Sequence, residues 1–98
     1  MTIIHVANID PSILGGVQVA VPQMVRAQSR YANVALMNTH GGYIPDVHGI
    51  HYDGESFSIT ELEPPFNFPD LIVFHELYRF EYIKLYKHFI YSISEDYV

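Results

Sequence analysis

Apolar residues follow two different periods in the first part of the chain. Residues 3–7 form a nearly unbroken apolar run, which is typical of a strand covered on both faces of a parallel sheet. After the pair Gly15-Gly16 the apolar residues recur at helical spacing, at Val17, Ala20, Val21, Met24 and Ala27. The pattern therefore predicts a buried strand, a loop that ends in two glycines, and an amphipathic helix.

Two further apolar runs predict strands near residues 33–38 and 70–75, in addition to the first near residues 2–7. A strand, a helix and a second parallel strand make one right-handed βαβ unit. A second helix is expected over residues 78–91. Together these elements predict one α/β domain over residues 1–98, a three-layer Rossmann-like fold whose strands pair in parallel around the first.

Two stretches interrupt this simple pattern. Pro22 falls inside the predicted first helix, so that helix either kinks there or begins its regular part near Val21. From residue 40 to residue 69 glycines and prolines recur, and only residues 50–52 and 57–60 have the character of short strands. A long irregular segment after the carboxyl end of a strand is typical of a ligand-binding edge.

Charge and composition exclude several classes of function. The net charge of −6 and only five Lys and Arg residues argue against nucleic acid as a partner, because phosphate neutralisation needs clustered cations. The chain has no cysteine, which excludes disulfides and thiolate chemistry. No segment has the length of a transmembrane helix or the pattern of a signal peptide, so a cytoplasmic location is expected.

The first candidate site is the glycine pair. A helix that begins after Gly15-Gly16 has no polar cap side chain on its first N–H groups, and its first turn (residues 17–19) has no carboxylate. Glycine also lets another molecule approach the backbone closely. These features favour a phosphate seat. The alternative is that the two glycines only make a turn between a strand and a helix.

The second candidate site is His75, where the clearest apolar strand ends. Both His75 and the glycine pair follow strands expected to be neighbours, so the two should share one crevice at the carboxyl edge. The adjacent Glu76 is suited to orient the imidazole or to take part itself. The alternative is that His75 caps the following helix or packs at the edge of the sheet.

Other familiar site patterns are absent from the sequence. The Asp46, His48, His51 and Asp53 cluster has metal-ligand residue types, but its spacing is not that of a zinc signature, so no metal site is expected. The loop before residue 16 is too long for the dinucleotide fingerprint, and strand two ends in Asn38-Thr39 without the acidic ribose ligand. The sequence contains neither a P-loop nor a serine-hydrolase elbow.

Two segments carry a resemblance to a known family. IIHVANIDPSILGGVQVAVPQMVRAQ (residues 3–28) and PDLIVFHELYRFEYIKLYKHF (residues 69–89) resemble the amino-terminal domain of retaining, family-four type glycosyltransferases with the two-domain GT-B architecture. The resemblance implies that Gly15 and Gly16 lie under the diphosphate of a nucleotide-sugar donor. It places His75, with Glu76, near the transferred sugar. Metal-independent transfer to a polysaccharide or glycolipid acceptor is implied, with no other cofactor.

In that family the amino-terminal domain mainly binds the acceptor, while a carboxyl-terminal domain holds the nucleotide. Nothing in the sequence matches the second domain, so the 98 residues are expected to be inactive by themselves. The alternative hypothesis is a non-catalytic interaction module that associates with itself. The expected contact surface is the aromatic helix near the carboxyl end, through Tyr78, Phe80, Tyr82, Tyr86, Phe89 and Tyr91.

Overall fold

The computed structural model describes residues 1–13, 15–52 and 62–75, which form a parallel sheet with one helix against it. The strands are β1 (Thr2–Ala7), β2 (Asn33–Asn38), β3 (His48–Ile50) and β4 (Leu71–Phe74), and the helix is α1 (Val17–Gln28). The spatial order of the strands is β3-β2-β1-β4, and all three pairings are parallel. The described part of the chain is therefore an α/β fold.

The predicted parallel pairing around the first strand is confirmed. On one side of β1 the register runs from Thr2 opposite Asn33 to Ala7 opposite Asn38. On its other side β4 pairs through Val6 opposite Phe74. β1 is buried along its whole length, because it lies between two strands and both of its faces are covered.

Each face of the sheet has its own apolar core. Val21 and Val25 of α1 cover one face, which consists of Ile3, Ala7, Val34 and Leu36. The opposite face is built from Ile4, Val6, Ala35, Met37 and Ile72, and the rings of Tyr52 and Phe66 pack against it. The helix expected over residues 78–91, which would supply the third layer, lies outside the described residues.

Helix α1 is continuous through Pro22 from Val17 to Gln28, which excludes the alternative that its regular part begins near Val21. Proline has no N–H, which leaves the carbonyl of Gln18 without its usual partner four residues later. The buried residues of the helix are Val21, Pro22 and Val25, whereas Met24 is 40% exposed. In the described ranges, no helix combines the length and the apolarity that a bilayer crossing needs.

The described part of the irregular middle segment contains one short strand, which starts earlier than expected. The sequence favoured residues 50–52, but β3 covers His48–Ile50, with His48 and Gly49 exposed and only Ile50 buried. The strand exists because it pairs with β2, where Ala35 lies opposite His48 and Met37 opposite Ile50. The second strand considered there, residues 57–60, lies outside the described residues.

Candidate ligand site at the carboxyl edge

The strand order places a switch point between β1 and β4. From β1 the chain moves to β2 and β3 on one side, and it then returns to the other side of β1 to form β4. The connection that leaves β1 at its carboxyl end therefore leads to the β2 side of the sheet, whereas β4 ends on the opposite side of β1. Open parallel sheets bind ligands in the crevice that forms at such a point. The Gly15-Gly16 loop follows β1 and His75 follows β4, so both candidates lie at this edge.

The glycine pair has a backbone conformation that other residues rarely adopt. The φ angles of Gly15 and Gly16 are 89° and 53°, and α1 begins at the next residue. No side chain makes a cap hydrogen bond at this helix terminus, and the first turn contains no acidic residue. A Cβ atom added at either glycine would meet nothing within 4 Å. None of the described residues fills the space beside the helix terminus.

Several backbone N–H groups at the glycine pair find no acceptor in the part of the chain that the structure describes. The N–H groups of Val19 and Ala20 donate to the Gly16 carbonyl at 3.2 and 3.0 Å, and that of Gln18 donates to the Gly15 carbonyl at 3.2 Å. Within the described residues, the N–H groups of Gly15, Gly16 and Val17 have no acceptor. Their partial positive charge and the helix dipole favour an anion at this position.

Side chains from α1 and β2 hold the loop that carries the glycines. Gln18 accepts a hydrogen bond from the Asp10 N–H at 2.5 Å. Asn38, which is 6% exposed, accepts from the Ile9 N–H at 2.8 Å and donates to the Ile9 carbonyl at 3.0 Å. Asn38 also donates to the Gly42 carbonyl at 3.1 Å, so it joins the loop after β1 to the loop after β2.

Asp10 places one carboxylate in the same loop. Its Oδ1 accepts hydrogen bonds from the Ser12 hydroxyl at 2.7 Å and the Ser12 N–H at 2.9 Å, and these bonds lower the pKa of Asp10. The His40 ring nitrogen lies 3.8 Å from the same oxygen. The negative charge of Asp10 is therefore stabilised by hydrogen-bond donors of Ser12 within the same loop.

His75 lies at the predicted edge, but its side chain is engaged by a residue that the sequence analysis did not select. The backbone N–H of His75 donates a hydrogen bond to the Val6 carbonyl at 3.0 Å. Its Nε2 lies 3.0 Å from Nδ1 of His5, and the ring planes are 17° apart. Burial, and then the charge of the nearby His5, lower the pKa of His75 below its ordinary value. No contact between His75 and the glycine loop is seen within the described residues, so a crevice shared by the two stays a prediction.

His5 is 1% exposed and lies on the α1 face of β1. Its second ring nitrogen, Nε2, is 2.7 Å from Oε1 of Gln28 in the last turn of α1. The sequence carried a signal for this pair, because a histidine inside a buried apolar strand needs hydrogen-bond partners. The identity of those partners, which come from α1 and from the end of β4, depends on the folded arrangement.

The residue types that suggested a metal do not converge in the described part of the chain. No group of three or more His, Cys, Asp or Glu residues there is arranged to hold a metal ion. The His48 ring instead stacks on Phe66, with the ring centroids 4.7 Å apart. Asp53 of the predicted cluster lies outside the described residues, as do Glu76 and the aromatic residues near the carboxyl end that carry the prediction of self-association.

A cleft of about 270 Å³ opens at the carboxyl ends of β2 and β3. Asn38 and Leu36 line its sheet side, and the loop that follows β2 lines the rest with Gly42, Tyr43 and Val47. Tyr43 is 86% exposed. The cleft lies at the carboxyl edge of the sheet, on the β2 and β3 side and away from the switch point. Its lining includes both polar and aromatic side chains.

Together, the strand order and the helix define the class of the described part: a parallel α/β fold. No family model matches the chain, and the comparisons with curated proteins and with solved structures likewise give no match.

Proposed function

We propose that this chain is the acceptor-side domain of a retaining glycosyltransferase of GT-B type, which transfers a sugar from a nucleotide-sugar donor to a polysaccharide or glycolipid acceptor. The observation that carries the proposal is the set of N–H groups at Gly15, Gly16 and Val17, which have no acceptor among the described residues and lie at the edge of the sheet that contains the switch point. In this proposal the donor diphosphate accepts hydrogen bonds from those groups.

The chemistry of sugar transfer agrees with such a seat. When the bond between sugar and diphosphate breaks, negative charge grows on the leaving phosphate oxygens. Backbone donors that are already oriented stabilise that charge without reorganising during the reaction. The proposal assigns this charge stabilisation to the backbone amides and to the α1 dipole, without a metal ion or another cofactor.

His75 is proposed to lie near the transferred sugar, with Glu76 beside it. The lowered pKa of His75 favours the neutral ring, which suits hydrogen bonding to an uncharged hydroxyl group. A second domain is proposed to hold the nucleotide against the glycine loop. The 98 residues supply one wall of that site, so they are expected to bind the diphosphate without turning the donor over by themselves.

The experiment that tests the proposed diphosphate-binding site changes the charge in the first turn of α1. Val19 lies in that turn and is 50% exposed, so a polar side chain there is tolerated. Val19→Glu places a carboxylate beside the free N–H groups, whereas Val19→Gln has almost the same shape and no charge. Binding of uridine and guanosine diphosphates and their glucose and mannose esters is measured by calorimetry at low ionic strength.

We expect Val19→Glu to weaken diphosphate binding by about two- to fivefold, because an exposed charge at a helix terminus is worth about 0.3–1 kcal/mol. Val19→Gln should leave the affinity unchanged. Gln23→Glu carries the same charge farther along α1, where Gln23 is exposed, and it controls for the change in net charge. Equal weakening by Val19→Glu and Gln23→Glu would contradict the seat, and so would wild-type protein that binds none of these compounds.

A further inference from the structure

Three side chains form a hydrogen-bonded series that crosses from α1 to the end of β4. Gln28 Oε1 lies 2.7 Å from His5 Nε2, and His5 Nδ1 lies 3.0 Å from His75 Nε2. His5 is almost completely buried, so water does not replace either partner. The centroids of the two imidazoles are 5.2 Å apart, farther than the bonded nitrogens, so the rings meet at their edges.

We propose that His5 and Gln28 are positioning residues that fix the neutral tautomer of His75, so that its Nε2 carries the hydrogen and its Nδ1 is the acceptor offered to a ligand. The inference needs no bound ligand. Only the nature of that ligand, a sugar hydroxyl, rests on the function proposed above.

The side chain of Gln28 decides which atom is the donor in each of the two hydrogen bonds. The amide oxygen Oε1 of Gln28 accepts hydrogen bonds and cannot donate them, so His5 Nε2 must carry a hydrogen. The two hydrogen-bond partners of His5 are the Gln28 amide and the His75 ring, and neither is a carboxylate. In the neutral form of His5, Nδ1 is then unprotonated and can accept a hydrogen bond.

The same reasoning extends to His75. An unprotonated Nδ1 on His5 can only accept in this hydrogen bond. The atom 3.0 Å away, Nε2 of His75, must therefore be the donor. A neutral imidazole that carries its hydrogen on Nε2 has its lone pair on Nδ1. Within the described residues, Nδ1 of His75 has no hydrogen-bond partner. This nitrogen is therefore left as an acceptor on a ring whose other edge is fixed.

Burial supports the neutral form on which this assignment depends. His75 is half-buried beside His5, and burial lowers the pKa of its ring, with a second contribution from the charge of His5. A charge on either ring would oppose a charge on the other. The lowered pKa of His75 therefore favours its neutral ring at pH 8, and the geometry gives that ring one hydrogen bond to His5.

The test is the nitrogen-15 NMR spectrum of the imidazole rings of the free 98-residue protein at pH 8, where protonated and bare ring nitrogens have well-separated shifts. We expect the hydrogen on Nε2 in both His5 and His75. A wild-type His75 that carries its hydrogen on Nδ1 would overturn the proposal. No ligand is added, so a failure to bind nucleotide sugars leaves this result readable.

A substitution at the start of the series adds a second measurement. In Gln28→Lys the ammonium group donates to His5 Nε2, so each hydrogen bond reverses and the hydrogen of His75 moves to Nδ1. A cation is well tolerated in the last turn of a helix. Gln23→Lys, at an exposed position of the same helix, adds the same charge and should leave the spectrum unchanged. An unchanged tautomer of His75 in Gln28→Lys would show that the series does not position it.

Discussion

Nδ1 of His5 lies 3.0 Å from Nε2 of His75, although 70 positions separate the two residues in the sequence. The contact joins the buried central strand β1 to the carboxyl end of its neighbour β4. It fixes one edge of the His75 ring, while Nδ1 of that ring has no partner in the described part of the chain. The contact also makes the stability of the fold dependent on pH.

The first prediction concerns this pH dependence. The pKa of His75 is lowered below its ordinary value of 6.5 by burial and by His5. The unfolded chain therefore binds more protons than the folded chain once the pH falls below about 6.5, and stability decreases with falling pH through that range. We expect the free energy of unfolding in urea to decrease between pH 8 and pH 5.

His75→Gln is the matched control for this measurement, because its amide still donates to His5 but does not titrate. The decrease with pH should be smaller in this variant than in the wild-type protein. Comparing the two separates the contribution of His75 from those of other groups, including Asp10, whose lowered pKa also decreases stability at acidic pH. Identical pH profiles would show that His75 does not contribute.

The second prediction concerns Asn38, whose buried amide joins the loops after β1 and β2. Asn38→Leu removes four hydrogen bonds and leaves the N–H and the carbonyl of the buried Ile9 without this partner. We expect the free energy of unfolding to fall by about 3 kcal/mol, since each buried polar group left unpaired costs about 1–3 kcal/mol. Asn33→Leu, at the exposed start of the same strand, should change it by less than about 0.5 kcal/mol.

A refinement of this experiment separates hydrogen bonding from side-chain shape. Asn38→Asp keeps the oxygen that accepts from Ile9 and His40, but it turns a second oxygen toward the carbonyls of Ile9 and Gly42. The variant should be destabilised at pH 7, and it should recover part of the loss at acidic pH, where a protonated carboxyl group donates again. A loss independent of pH would indicate that the shape of the side chain matters more than its donors.

The third prediction concerns the conformation of Gly16. Its φ of 53° is in a region that residues with a Cβ atom rarely adopt, although the space around it is open. Gly16→Ala should therefore destabilise the fold by about 1–3 kcal/mol through backbone strain alone. Gly49 of β3 has equally open space without a positive φ, and Gly49→Ala should be neutral or slightly stabilising. Thermal or urea unfolding of both variants distinguishes strain from crowding.

Local sequence patterns were sufficient for the main elements of the described fold. The apolar runs predicted β1 and β2 at the residues where they occur, and β4 within one residue at each end. The helical spacing after Gly15-Gly16 predicted α1 from Val17 to Gln28. These predictions succeed because burial on both faces of a strand, or on one face of a helix, leaves its period in neighbouring residues.

The sequence did not reveal features that depend on distant partners. Strand β3 was placed two residues late, because its exposed His48 and Gly49 have no apolar pattern and only the pairing with β2 makes them a strand. Asn38 was considered only as a missing ribose ligand, whereas the fold uses its amide to join two loops.

The sequence by itself therefore determined the elements and the glycine entrance to α1, since a period and a Gly-Gly pair are local properties of the chain. Only the tertiary structure decided which polar groups meet. It brought His5, Gln28 and His75 together from β1, the end of α1 and the end of β4. The physical reason is that a buried polar side chain must find a partner, and which partner it finds depends on how the strands are ordered in space.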